Sequence, residues 1–476
     1  MNSYDTLPYP GLPYRQTHPD RLRTIARLLG MDPPSAERCR VLELGCGDGG
    51  NLLPMAWALP HSKFVGLDLG AAHIRQGQAK VRQLGLINLE LRQQDLMEFG
   101  PHEGEFDYIL AYGLYSWVPP QVADRILDIM SRHLSARGIG YVNYTAYPGG
   151  RLRESVRDLM LFAARGIAEP AERLQRARTM LEAVAGARAA DDEFGALLQA
   201  EARRVAARES PFVFHDELAE AFHPVYVHEF AAQAARHGLQ YLAEATLSDT
   251  HTAAVSIGDD FIDREQYLDF IQGRAFRHTL LCRTAIALDH QLRTDVLPQL
   301  FAASNAAAVE AGGAMVEFRG PRSSLKTDHP VVQAVLRTLA QAWPRSVRVA
   351  ALPEQIGRSH AAVIAQVLLS AFSRDLVEIY STPPLVGSEP GHRPEATPLA
   401  RLQAQQGEKI STLAHTYIAV EDDLARHLIG LLDGTRDRAA LMAELAPRAP
   451  GMSRDQLGQQ IDDYLAALCR WAVLRP

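Results

Sequence analysis

"VLELGCGDGG", Val41 to Gly50, is the stretch that decides the fold. A short apolar run ends in a turn where Gly45, Gly47 and Gly50 keep the G-x-G-x-x-G spacing. That spacing suits a loop between a parallel strand and the helix that follows it. In a dinucleotide site the glycines bring the backbone close to an anionic pyrophosphate. Here Glu43 stands two residues before the first glycine, and Asp48 lies inside the loop. Like charges 4 Å apart repel by ~1 kcal/mol in water and ~4 kcal/mol near a protein surface. S-adenosylmethionine sets a sulfonium and an ammonium against one carboxylate, so an acidic strand end suits it better. It is the expected cofactor, and no metal is required.

The flanking sequence repeats the strand-then-helix rhythm. "KFVGLDL", "NLELRQQD", "FDYILAY" and "GIGYVNYT" read as further strands, with helical spacing at Ala71–Leu84 and Pro119–Leu134. Such alternation predicts an α/β, Rossmann-like, doubly wound sheet of parallel units. Ligands of these sheets sit at the carboxyl ends of the strands. Asp68 ends the second strand, where it can accept from ribose hydroxyls, with Leu69 beside it. Asp95 follows the third, where it can accept from an adenine amino group, with Leu96 against the ring. Ala111 closes the fourth. Together with Glu43, Gly45, Cys46 and Gly47 these form the expected cofactor set.

Residues 1–150 are read as the cofactor-binding core and residues 151–225 as a helical insert rich in Ala, Leu, Arg and Glu. Residues 226–285 supply the last two strands, Gln240–Leu247 and Phe276–Arg283, for seven in all. Residues 286–385 give helix, helix, helix and strand, the order of a winged-helix-like module. Residues 386–476 are expected to be a C-terminal helical module, entered through a Pro- and Gly-rich linker at 382–397.

Longer blocks carry a more specific resemblance. "VLELGCGDGGNLLPMA", "FVGLDL" and "FDYILAYGLYSWVPP" resemble the class I methyltransferases. "YRQTHPDRL", "YSWVPP", "PVYVHEFAAQAARHGLQYLAEA" and "FIQGRAFRHTLLCR" are similar to the bacterial subgroup with a methyltransferase regulatory domain. "HRPEATPLARLQA" and "LLDGTRDRAALMAEL" are similar to its C-terminal part. The resemblance implies an S-adenosylmethionine-dependent methyltransferase that acts on protein lysines, with outer-membrane or surface proteins as partners before export. Two alternatives are a small-molecule methyltransferase and a cofactor-binding regulator without transfer. The sequence departs from the subgroup at "YTAYPG", which lacks an Asn, and at Tyr112, where a His is usual.

Methyl transfer needs an aligned nucleophile, exclusion of water and loss of a proton from the acceptor amine. Candidates for the acceptor side are Tyr14 and His18 in the N-terminal segment, Tyr112 and Tyr115 after the fourth strand, and Tyr144 near the end of the fifth. Trp117 and Asn143 lie nearby. Composition narrows the partners. The 476 residues are 47% hydrophobic and 22% charged, with a net charge of -7, which disfavours nucleic acid. "YSWVPP" lacks the acid or amide that a base-flipping amine methyltransferase would need. The almost wholly apolar "HAAVIAQVLLSAF" is a poor recognition helix and a better packing or dimer surface. There is no long apolar run and no leader at the start, so a cytoplasmic location and no membrane span are expected.

Overall fold

The computed structural model describes residues 9, 11–188, 192–247, 260–407 and 409–476. The first eight residues, where a leader was sought, lie outside them, as does 248–259 within the expected 226–285 region. Seven strands form the central sheet: β1 (Arg40–Leu44), β2 (Lys63–Asp68), β3 (Leu89–Gln93), β4 (Phe106–Ala111), β5 (Leu134–Thr145), β6 (Leu239–Glu244) and β7 (Phe276–Arg283). Their order is β3-β2-β1-β4-β5-β7-β6. The first five are parallel, as the sequence rhythm predicts. β7 runs antiparallel to both β5 and β6, which corrects the all-parallel expectation. Antiparallel neighbours need no right-handed crossover, so the chain can enter the gap between β5 and β6 from the near end.

Helices α1 (Pro19–Leu28), α2 (Leu52–Ala58), α3 (Ala71–Gln83) and α4 (Pro120–His133) surround the parallel strands. The helical insert expected at 151–225 consists of α5 (Gly150–Ala163), α6 (Pro170–Gly186), α7 (Glu193–Ala206) and α8 (Ser210–Glu217). Gly166, at φ +76°, and Pro170 at the start of α6 make the first break. Their apolar faces close a small separate core around Met160, Leu181, Leu198 and Phe214. α9 (Val227–Arg236) and α10 (Phe261–Gln272) flank β6 and β7.

Strand alternation sorts the sheet into two faces. Val41, Phe64, Tyr108, Leu110 and Tyr141 pack with α1, α2 and α3. Leu42, Leu44, Ile109, Val142 and Tyr144 pack with α4 and α9. The chain leaves β1 toward β2 but leaves β4 toward β5, so a crevice opens at the carboxyl ends of these two neighbours.

Beyond the sheet come β8 (Phe301–Ala303), the three-stranded β9 (Ala307–Glu310), β10 (Val316–Arg319) and β11 (Ser324–Thr327), then α11 (Pro330–Ala342), β12 (Val347–Arg348), α12 (Leu352–Ile356), α13 (Ala361–Phe372) and β13 (Glu378–Tyr380). β8 is flanked antiparallel by β12 and β13. The last part holds α14 (Pro398–Gln406), a hairpin of β14 (Lys409–Ser411) and β15 (Tyr417–Ala419), then α15 (Asp423–Leu431), α16 (Arg438–Leu445) and α17 (Arg454–Arg470). Antiparallel bridges join Glu395 to Asp433 and Ala396 to Leu474. Both parts set a central segment between two antiparallel partners, the first partner followed by two helices that lead to the second: β8 between β12 and β13, and Glu395–Ala396 between Asp433 and Leu474. That is winged-helix architecture twice over. The C-terminal part is thus not purely helical, and the 382–397 linker supplies its central strand. Elements this short show no period-two pattern in sequence.

One buried ion cluster fastens β6, β7 and α10. Arg277 uses its Nε toward Asp269 (2.9 Å), its Nη1 toward Glu244 (2.8 Å) and Glu265 (3.1 Å), and its Nη2 toward Asp269 (2.8 Å) and the Glu265 carbonyl (3.1 Å). Burial pushes the Glu265 carboxyl up to about 7 against the pull of Arg277. For Glu244 burial is outweighed by Arg277 and Arg274, and its carboxyl stays below the usual range. Arg277→Met leaves Glu244, Glu265 and Asp269 with only Arg274 as a nearby cation, so urea unfolding should show the sheet destabilised by about 3–5 kcal/mol. A loss of under about 1 kcal/mol would mean the cluster is dispensable.

Candidate functional site

The glycine loop holds its shape through backbone bonds that only left-handed residues allow. Gly45 and Gly47 have φ of +74° and +56°, and the N–H groups of Gly45 and Cys46 both donate to the Leu67 carbonyl (2.8 and 3.0 Å). Gly47 opens onto free space: a Cβ there would meet nothing within 4 Å. Asp68 accepts from the N–H of Gly47 (2.8 Å) and of Gly70 (2.7 Å), fastening the ends of β1 and β2 together. Each carboxylate oxygen keeps a lone pair beyond that bond. Leu69 beside it is 60% exposed, an open apolar surface.

The two acids flagged in the loop have opposite fates. Asp48 is neutralised by Lys80 and caps the Gly50 N–H at 3.1 Å. Glu43 is buried, and its Oε1 accepts from the Asn51 amide at 2.8 Å. Its Oε2 is buried with no hydrogen-bond partner among the described residues. Burial pushes this carboxyl up to about 8, with Asp68 and Asp48 adding to the rise and the Asn51 bond opposing it. A buried acceptor without a donor is costly, and a cationic group would satisfy it.

Asn51 was not singled out in the sequence, yet it organises the site. Its Oδ1 accepts from the Tyr14 N–H (3.1 Å) and lies 2.9 Å from His415 Nε2. The N-terminal segment is laid across the loop. Tyr9 packs on Phe212 of α8, Gly11 lies against Gly50, and the Tyr14 ring stacks on Tyr112 at 3.8 Å. Tyr112 in turn faces Tyr141 at 6.3 Å. Asn143 accepts from the Gly113 N–H at 2.6 Å and fixes the loop after β4. Burial raises the Tyr14 and Tyr112 phenols, so both stay protonated near neutrality and offer ring faces and donors rather than a base.

Several candidate side chains fall elsewhere. Tyr144 is fully buried, stacked on Phe230 at 4.4 Å, and its hydroxyl accepts from Thr279. The alternation that gives Tyr141 and Asn143 one face gives Tyr144 the other. Tyr115 is also in that core, with its hydroxyl on Gln233. Neither has a surface left for an acceptor. His18 caps α1, its Nδ1 accepting from the Asp20 N–H at 3.2 Å, and burial lowers it to about 4. It lines a 580 Å3 cavity with Trp57, Tyr380 and His415, and no residue of the glycine loop lines that cavity. Trp117 packs on Phe222 and Phe276. Asp95 caps the turn after β3 through the Met97 N–H. The Leu96 side chain belongs to the core, which leaves chiefly its backbone for a ligand, and Ala111 is likewise buried. Among the described residues no group of His, Cys, Asp and Glu could hold a metal ion.

Comparison with known proteins adds identity to this geometry. Residues 41–138 match a family described as a methyltransferase domain, and 209–283 match the predicted methyltransferase regulatory domain. Residues 392–470 match the PKMT C-terminal winged helix domain, which places a winged helix in the part expected to be a helical module. The chain is 30% identical over 241 residues to the uncharacterized protein RP028 of Rickettsia prowazekii, covering 50% of this chain and 96% of that protein. It is 32% identical over 360 residues to RP789 of the same organism, spanning 71% of this chain and 65% of that relative. The structure of PKMT2 from Rickettsia typhi in complex with AdoHcy has the same fold, with a TM-score of 0.88 at 23% identity over 98% of this chain and all of that one. The fold and crevice define a class I methyltransferase architecture. The chain belongs to the same family as RP028 and carries a methyltransferase domain, for which S-adenosylmethionine is the cofactor, together with the predicted regulatory domain.

A Cβ on Gly50 would overlap the Gly11 backbone. Gly50→Ala should therefore lift the N-terminal segment off the loop, and trypsin should cut at Arg15 several-fold faster than in the wild type. An unchanged cleavage rate would show that the segment is not held there.

Proposed function

We propose that the protein transfers a methyl group from S-adenosylmethionine to the side-chain amine of lysine in a protein substrate. The observation that carries the cofactor half is the unpartnered, buried Oε2 of Glu43 at the carboxyl end of β1, which fits an ammonium group. Asp68 would accept from the ribose hydroxyls with its remaining lone pairs, and Leu69 and Asp95 would border the adenine. Gly47 leaves room for close approach. When bound, the cofactor supplies a methyl group on a positively charged sulfur.

The chain's own contribution is placement and exclusion of water. The Tyr14–Tyr112 stack and the N-terminal segment cover the crevice, and aromatic faces suit both an ammonium and the methylene stem of a lysine. The acceptor amine must lose its proton before it attacks. Protonated phenols cannot take that proton, so the lysine enters as the free amine, its proton left to bulk water before it seats. A lysine in a polypeptide is further supported by the match to the PKMT winged-helix domain and by the whole-chain likeness to the fold of PKMT2. The resemblance points to unfolded surface or outer-membrane proteins as acceptors. Two winged-helix modules and a helical insert form far more frame than a metabolite requires. No described helix is long and apolar enough to cross a membrane.

Incubation of the full chain with labelled S-adenosylmethionine and unfolded surface proteins should place label on lysine-containing peptides by mass spectrometry. The chain's own lysines are Lys63, Lys80, Lys326 and Lys409, so self-labelling is readily told apart. Label confined to small metabolites would favour the rival reading, and no transfer to any lysate component would favour a regulator. Asp68→Ala should weaken cofactor binding about ten-fold, roughly 1.4 kcal/mol, by calorimetry; an unchanged affinity would refute the ribose assignment.

A further inference from the structure

His415 brings the C-terminal part to the cofactor crevice. His415 sits in the turn between β14 and β15, at φ +54°, with its N–H donating to the Thr412 carbonyl at 3.1 Å. The turn is pinned from below, since the Leu413 N–H donates to the Ala472 carbonyl at 2.8 Å. The His415 ring is buried, with the His18 ring 5.1 Å away. Its Nε2 meets Asn51 Oδ1 at 2.9 Å, across 364 residues of sequence.

The protons of this contact are settled by its neighbours. Asn51 must present Oδ1 to the Tyr14 N–H, which can only donate, so its amide nitrogen faces Glu43. His415 must then carry its hydrogen on Nε2. Three separated parts of the chain thus converge on one amide, and that amide holds one oxygen of Glu43 and leaves the other open.

We propose that the C-terminal winged-helix module completes the cofactor site, with His415 as a positioning residue. It holds Asn51, and through Asn51 it holds Glu43, in the arrangement that receives the cofactor's ammonium group. The inference rests on the methyl-donor reading above. It gives the module a part in cofactor affinity as well as any part in holding a protein substrate.

Calorimetry on the full-length chain tests this with two ligands. S-adenosylmethionine carries the ammonium group; 5′-methylthioadenosine shares its adenosine and lacks the amino-acid end. His415→Ala should weaken S-adenosylmethionine about five- to tenfold, as for one lost hydrogen bond, and leave methylthioadenosine unchanged. His415→Gln, whose amide N–H reaches the place of Nε2, should regain most of the loss. Equal loss for both ligands, or none for either, overturns the inference while leaving the methyl-donor reading in place. A wild-type chain that binds neither ligand overturns both.

Discussion

The site depends on one incompletely satisfied carboxylate. Glu43 lies on β1, in register with Gly66 of β2 and Leu110 of β4, at the point where the chain's course across the sheet diverges. Burial denies it water, Asn51 satisfies one oxygen, and the other has no partner among the described residues. Such an arrangement raises the free energy of the ligand-free protein and lowers it selectively for a cation. An anionic pyrophosphate would meet the opposite sign. Asp48, the other acid of the loop, cannot play this part because Lys80 already neutralises it.

The rest of the architecture keeps that carboxylate in place and covered. The sheet fixes its position, and the Arg277 cluster fastens the antiparallel end of the sheet. The N-terminal segment crosses from α8 to α1 over the glycine loop, and the β14–β15 turn closes in from the far end of the chain. Lys409 of that hairpin pairs with Glu209 next to α8 and lies 5.2 Å from the Phe212 ring, so the hairpin and the insert also meet. Sheet, insert, N-terminal segment and winged helix are thus tied together around the crevice.

The parts of this site visible in sequence are those that are neighbours in sequence. Glu43, the glycines and Asp68 follow consecutive strand ends, and a period-two apolar pattern marks those strands. Asn51 is legible only as the residue after Gly50, with nothing to mark its contacts with Tyr14, Thr17, Glu43 and His415. His415 could not be anticipated at all, because its role comes from tertiary closure across the whole chain. Tyr144 and Tyr115 were misplaced because strand ends were taken to face the crevice without regard to the side on which each residue points. His18 shows the reverse case: a histidine before Pro19 at a helix start is used as a cap. Of the winged-helix strands only Glu378–Tyr380 is visible in sequence, because a strand of two or three residues leaves no periodic trace.

Proton release on cofactor binding is the most direct test. With Glu43 pushed up to about 8, the carboxyl is mostly protonated at pH 7 in the free protein, and an ammonium group at Oε2 would favour its ionised form. Calorimetry of S-adenosylmethionine binding at pH 7, in buffers of different ionisation enthalpy, should therefore show release of close to one proton. Affinity should rise as pH rises toward 8, and Glu43→Gln should abolish both effects and weaken binding. Binding that releases no proton, with equal affinity in the Gln variant, would contradict the account.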